Sequence, residues 1–217
     1  MRHSNSTILL ALLLLLPGFA SNVMAQTSQR PNFIVVMADD LGYGDLGIYG
    51  STLIDTPNID LMALQGMRLN SFYSSANVCT AARGGLLTGR YPIRLNLVSD
   101  VARPTNEIHI ARDEITLAEA LKELGYSTAL FGKWHLGDQP QFLPTAQGFD
   151  AYYGIPYSND MWPFHPGVAH LPLAQRLKRW PHLPLFDKET IVNPMVTPKD
   201  QAQLTTWYTE RAVRFID

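Results

Sequence analysis

The sequence predicts an α/β domain with a largely parallel sheet flanked by helices. Three observations carry that reading. An apolar, β-branched run at residues 32–38 stops at two aspartates. Residues 116–125 hold both the start and the stop signals of a helix, and a strand-like run at 126–131 follows without a linker. Short apolar runs alternating with helical segments are the pattern of parallel-sheet units. The chain of 217 residues is long enough for one domain with a real core, and its 46% hydrophobic and 17% charged content is that of a globular protein. A net charge of -2 gives no electrostatic case for a nucleic-acid partner.

Taken in order, the chain opens on a targeting segment. Arg2 and His3 precede an unbroken apolar run from Ile8 to Leu16. Pro17-Gly18 ends the run, and Val23-Met24-Ala25 fits a small-residue cleavage site. The run is shorter than the ~20 residues a bilayer span needs. Residues 1–25 are therefore expected to be a signal peptide, and the protein to be exported, periplasmic or secreted, without a stable membrane span. An uncleaved anchor is the second reading. Residues 26–217 form the expected domain.

The run at 32–38 reads as a buried parallel strand. Thr56-Pro57 opens a helix, with Ile59, Met62 and Ala63 at helical spacing and Gly66 as its stop. Residues 68–73 read as a second strand. A helix is expected to begin at or near Cys79 and to run to Thr88. Thr116-Leu117-Ala118-Glu119 is a capping box. Leu117, Ala120, Leu121 and Leu124 make one apolar face, and Gly125 is the stop. Residues 140–198 are rich in Pro, Gly and aromatics and read as long loops with short elements, which in a compact domain points to function. Leu204, Trp207, Tyr208, Ala212, Phe215 and Ile216 then share a face of a final helix.

Candidate chemistry sits at the ends of these elements. Asp39-Asp40 follows the first strand-like run, and ligands of open α/β sheets bind beyond the carboxyl ends of strands. Two adjacent carboxylates suit a hard cation such as Ca²⁺ or Mg²⁺, although such a pair more often caps a loop. Cys79 is the sole cysteine, which excludes an internal disulfide, and a lone cysteine is most often an inert buried thiol. Four residues on, Arg83 shares its helix face, and a helix N-terminus favours a bound anion. Lys133 and His135 stand on a loop after the third strand-like run. His165, His170 and His182 lie in the loop-rich stretch and read as ordinary loop histidines.

Four strings together change the weight of these signals. They are Pro31-Asn32-Phe33-Ile34-Val35-Val36-Met37-Ala38-Asp39-Asp40-Leu41-Gly42-Tyr43-Gly44-Asp45, Cys79-Thr80-Ala81-Ala82-Arg83-Gly84-Gly85-Leu86-Leu87-Thr88-Gly89-Arg90, Gly132-Lys133-Trp134-His135-Leu136-Gly137 and Tyr153-Gly154-Ile155-Pro156-Tyr157-Ser158-Asn159-Asp160. In this order they resemble the formylglycine-dependent sulfatases of arylsulfatase type. One position departs: Ala81 stands where most of that family have Pro. The resemblance implies an alkaline-phosphatase-like fold and a sulfate-ester substrate. It implies that Cys79 is oxidised to formylglycine by a formylglycine-generating or radical sulfatase-maturating enzyme, and that the hydrated aldehyde is the nucleophile. By the same resemblance Asp39, Asp40 and residue 79 bind Ca²⁺, with Mg²⁺ as the alternative. Arg83 holds the nucleophile and the sulfate, Lys133 binds sulfate oxygens, His135 serves the second hydroxyl and Ser158 assists nearby. Sulfatases continue well past this length, so the resemblance also implies an N-terminal part of a catalytic domain, truncated at its C-terminal side. The rival readings are an inactive sulfated-glycan-binding homologue and a phosphatase or phosphodiesterase of the same superfold. The second is disfavoured because those enzymes use Ser or Thr where Cys79 stands.

Residues 26–217 alone, co-expressed with a maturating enzyme, are expected to show no useful turnover of a nitrophenyl sulfate. Loss of a general acid by itself costs ~10²–10⁴-fold. Robust turnover that disappears in Cys79→Ala would contradict the expected truncation.

Overall fold

A computed structural model describes residues 30–217, so the expected signal peptide at residues 1–25 lies outside the described residues. The chain divides into a first unit that ends at Leu41 and a main unit, Gly42–Asp217. In the first unit the run at 32–38 is not a strand. Phe33, Ile34, Val35, Val36 and Met37 are all exposed. This corrects the expectation of a buried parallel strand there. Apolar, β-branched composition shows only that a run suits a sheet; burial needs neighbouring strands on both sides.

The main unit begins with two 3₁₀ turns, Tyr43–Asp45 and Gly47–Tyr49, and continues with helix α1 (Pro57–Gln65). Thr56 opens α1 as its sequence implies, yet its hydroxyl looks backward. It accepts from the Gly47 amide at 2.9 Å and donates to Asp60 at 2.9 Å, and Asp60 accepts from the Ile48 amide at 2.8 Å. Those bonds tie α1 to the preceding turn. The run at 68–73 forms no strand, and Leu69, Phe72 and Tyr73 are exposed, so the second expected strand is also corrected.

Helices α2 (Cys79–Thr88) and α3 (Leu117–Glu123) follow, then strands β1 (Ala129–Phe131) and β2 (Ala151–Gly154), helix α4 (Leu173–Arg179), strands β3 (Leu185–Asp187) and β4 (Thr190–Asn193), and helices α5 (Pro198–Gln201) and α6 (Leu204–Ile216). The α/β class holds. The sheet order is β1-β2-β3-β4. The β1–β2 pair is parallel, with Leu130 opposite Tyr152, while β2–β3 and β3–β4 are antiparallel, so the described sheet is mixed.

Alternate side chains of the strands feed two cores. Tyr153, Ile155, Leu185 and Leu204 belong to one buried cluster, and Trp134, Leu136, Tyr152 and Phe186 to the other. Helix α6 covers the first. Leu204 is buried, Phe215 meets Phe131 edge-on at 6.0 Å, and Arg211 lies 4.1 Å over the Tyr153 ring while pairing with Asp187 at 2.7 Å.

The α3 capping box is present on both sides: Thr116 accepts from the Glu119 amide at 3.2 Å, and Glu119 accepts from the Thr116 amide at 2.7 Å. Thr116 also donates to the Gln147 carbonyl at 2.8 Å. The predicted apolar face of this helix is not its buried face. Leu117 and Leu124 are exposed, and Ala118 is the buried residue. With only 7 residues, α3 is under two turns long, and its polar tie to Gln147 sets its orientation. Among the described residues no helix is long and apolar enough to cross a membrane.

One glycine holds the two site-bearing segments together. A Cβ on Gly154 would run into the Gly132 carbonyl oxygen, where β2 leaves the sheet beside the turn after β1. Gly154→Ala is expected to cost about 1–3 kcal/mol or more through overpacking. In a chain of this size that lowers the melting temperature by about 2–4 °C per kcal/mol. An unchanged melting temperature would contradict this close approach.

Candidate active site

Cys79 is the first residue of α2, behind an extended Val78, and its free thiol is half-buried. The helix then turns inward: Thr80, Ala81 and Ala82 are buried, Arg83 is half-buried, and Gly84 lets Leu95 and Leu97 close against the helix. Gly89, at φ +66°, ends α2 with its amide on the Gly85 carbonyl at 2.9 Å.

The second contributor is the loop at 132–137, directly after β1. It runs beside the residues that extend β2. The amides of Gly132, Trp134 and His135 donate to the carbonyls of Tyr153, Ile155 and Pro156 at 3.0, 3.0 and 2.9 Å. Gly132, His135 and Gly137 have φ of +124°, +67° and +117°. A left-handed non-glycine residue at 135 is a costly conformation that its surroundings must hold. They do so from several sides. Trp134 is buried and its indole donates to the Phe142 carbonyl at 2.8 Å, and the Ile110 amide donates to the Leu136 carbonyl at 3.0 Å.

Helix α2 and this loop are joined by two hydrogen bonds. The Thr80 hydroxyl donates to the His135 carbonyl at 3.1 Å, and the Arg83 guanidinium donates to the Lys133 carbonyl at 2.6 Å. The structure thus brings Cys79, Arg83, Lys133 and His135 into one neighbourhood. His135 is fully buried, and its Nε2 lies 2.8 Å from the Ala102 carbonyl. A carbonyl only accepts, so Nε2 carries a proton. Ser158, 7% exposed, lies just beyond Pro156 and Tyr157, and the Tyr157 ring stands edge-on to the His135 imidazole at 6.2 Å. Burial, and then the neighbouring Asp138 carboxylate, hold the Tyr157 hydroxyl far above its ordinary pKa, so it remains a neutral donor.

Asp39 and Asp40 belong to the first unit, at a bend where Asp40 has φ +56°. Their oxygens are of the type a hard cation takes, but two carboxylates are fewer than the six to eight oxygens of a Ca²⁺ shell. No group of three or more His, Cys, Asp or Glu among the described residues forms a metal cluster. The donor chemistry fits Ca²⁺ or Mg²⁺ as part of a larger set. His165 accepts from the Gly167 amide at 2.9 Å as a turn cap, and His170 and His182 are exposed, in keeping with ordinary loop histidines.

A family model described as Sulfatase matches residues 31–167. The chain belongs to the sulfatase family. It is 39% identical to arylsulfatase G of Rattus norvegicus over 94% of this chain and 41% of that protein. It is 48% identical to arylsulfatase A of Bos taurus over 61% of this chain and 27% of the relative. N-acetylgalactosamine-6-sulfatase of Rattus norvegicus is 37% identical over 97% of this chain and 41% of its own length. Among solved structures, the PsFucS1 sulfatase of Pseudoalteromonas sp. superposes with a TM-score of 0.75 at 31% identity, covering 90% of this chain and 42% of that one. Ps i-CgsB superposes with a TM-score of 0.71 at 31% identity, covering 87% and 42%. This sulfatase chain therefore spans about four tenths of the length of the relatives that match most of it, and the fold is that of the sulfatases.

Sequence reasoning missed Thr80, Ala102, Asp138 and Tyr157. The available signal for Thr80 was a polar residue at the first inward position of a helix that is otherwise small and apolar there. Ala102 acts through its backbone and left no signal.

Arg83→Met removes a charged donor from a half-buried carbonyl, which is expected to cost about 1.5–3 kcal/mol. Amide exchange at Trp134 and His135 should rise with it. Exchange and melting temperature both equal to wild type would show that the guanidinium does not hold the loop.

Proposed function

We propose that the protein hydrolyses sulfate esters, as an arylsulfatase-type sulfuric ester hydrolase, through a formylglycine derived from Cys79. The observation that carries this is the position of Cys79: a half-exposed thiol at a helix start, one residue before the buried Thr80 and on the helix face of Arg83. A maturating enzyme of the formylglycine-generating or radical type is the implied partner, and the protein is proposed to act after export.

A sulfate ester is an anion, so an oxygen nucleophile approaches it against like charge. Arg83 and Lys133 offset that charge as it builds on the sulfate oxygens. One hydroxyl of the hydrated aldehyde gives up its proton to solvent and forms the bond to sulfur while the bond from sulfur to the alcohol oxygen breaks. The alcohol leaves with a proton from a general acid. His135 then takes the proton of the second hydroxyl, the carbon–oxygen bond to sulfate breaks, and the aldehyde returns. In this reading Ser158, a buried residue next to Tyr157 in the chain, assists the same hydroxyls. Asp39 and Asp40 would supply two carboxylates to a Ca²⁺ or Mg²⁺, which when bound would contribute positive charge to the chemistry of an anionic ester.

Mass spectrometry of the peptide bearing residue 79, from protein made with a maturating enzyme, should show an aldehyde in place of the thiol. Only thiol, with the maturating enzyme shown to be active on a control substrate, would overturn the proposal. In the complete protein, Asp40→Asn is expected to lose bound calcium by elemental analysis together with activity, and unchanged calcium would remove Asp40 from the site.

A further inference from the structure

We infer that Thr80 is a positioning residue for His135, acting through a closed ring of hydrogen bonds that passes through the backbone of Ala102. This rests on the reading of His135 as the base of the second step. The ring has three bonds. The Thr80 hydroxyl donates to the His135 carbonyl at 3.1 Å, the Ala102 amide donates to the Thr80 oxygen at 2.9 Å, and His135 Nε2 donates to the Ala102 carbonyl at 2.8 Å. All three residues are 0% exposed.

The geometry leaves little freedom. A hydroxyl has one proton to give, and here it goes to the His135 carbonyl, so the lone pairs face the Ala102 amide. That amide bond sets where the Ala102 carbonyl stands. The carbonyl in turn requires a proton on Nε2, in the neutral ring and in the imidazolium alike. Nδ1 is then the nitrogen that takes up and releases the catalytic proton, and the Ala102 bond survives the whole cycle. The left-handed backbone at His135 needs such an anchor, since its own conformation does not favour it. Thr80 also follows residue 79 directly, so one side chain fixes the helix start that carries the nucleophile and the pose of its base. Removing the hydroxyl strands a buried amide and leaves a buried carbonyl short of a donor, and the cheapest relief is a shift of Ala102 that releases Nε2.

The test uses the 217-residue chain labelled with ¹⁵N-histidine, with the His135 signals assigned by their loss in His135→Gln. Wild type is expected to show the Nε2-protonated tautomer at His135 and slow exchange of the Ala102 amide. Thr80→Ser, which keeps the hydroxyl, should retain both. Thr80→Val, which keeps the shape, should show mixed tautomers and Ala102 exchange faster by about tenfold. An Nδ1-protonated wild type, or Thr80→Val with wild-type ring signals and exchange, would overturn the inference. Should Thr80→Val not fold, the wild-type tautomer and the Thr80→Ser spectrum decide alone. A chain that keeps its thiol at residue 79 sinks the proposed reaction and leaves these signals unchanged, so the two failures are distinct.

Discussion

The main-chain carbonyls of Lys133 and His135 must find donors away from the sheet. The loop that carries them spends its amides on the residues beyond β2, through the bonds to Tyr153, Ile155 and Pro156. Its left-handed turns at Gly132, His135 and Gly137 leave carbonyls facing the other way. Buried carbonyls without partners are expensive, and α2 supplies the partners with Thr80 and Arg83. Those two donors are 55 and 50 residues from their acceptors in sequence. The site's neighbourhood is therefore held by side chains of α2 reaching the backbone of the loop, with no need for the functional side chains to bind each other.

That arrangement separates holding from chemistry. Arg83 reaches the loop by donating from its guanidinium to the Lys133 carbonyl, a main-chain acceptor rather than a functional side chain. His135 is fixed through its backbone carbonyl and through Nε2. Cys79 is not one of the two donors, so the start of α2 is held independently of the Cys79 side chain. The costs of a buried imidazole and a left-handed residue are absorbed by the same ring of bonds that orients them.

Local signals in the sequence were legible and global ones were not. The bounds of α2, the α3 capping box and the stop at Gly125 follow from residues within one turn of each other, and the structure has them. The first half of the predicted face of the final helix is in place, with Leu204 buried and Tyr208 against Tyr153 at 6.3 Å, while Phe215 and Ile216 at its end are exposed. The runs at 32–38 and 68–73 have strand composition but no place in the described sheet, because composition does not specify a neighbour. The α3 stripe misled because a short helix is oriented by its cap and by Gln147. At the site, the strings around residues 79 and 132 pointed to Cys79, Arg83, Lys133 and His135 through family likeness. What joins them stayed hidden, since Thr80 bonds to residues 22 and 55 positions away and both partners are backbone groups.

The central claim is that Thr80 and Arg83 act together on one loop, and a double-mutant cycle on unfolding free energy tests it most directly. The variants are Thr80→Val, Arg83→Met and the pair, each measured by denaturant unfolding. If both donors hold the same rigid segment, losing one weakens the hold of the other, and the cycle should show an interaction energy of at least about 0.5 kcal/mol. Additivity within about 0.3 kcal/mol would mean that the two bonds are independent ties, and the account of a single clamp would be wrong.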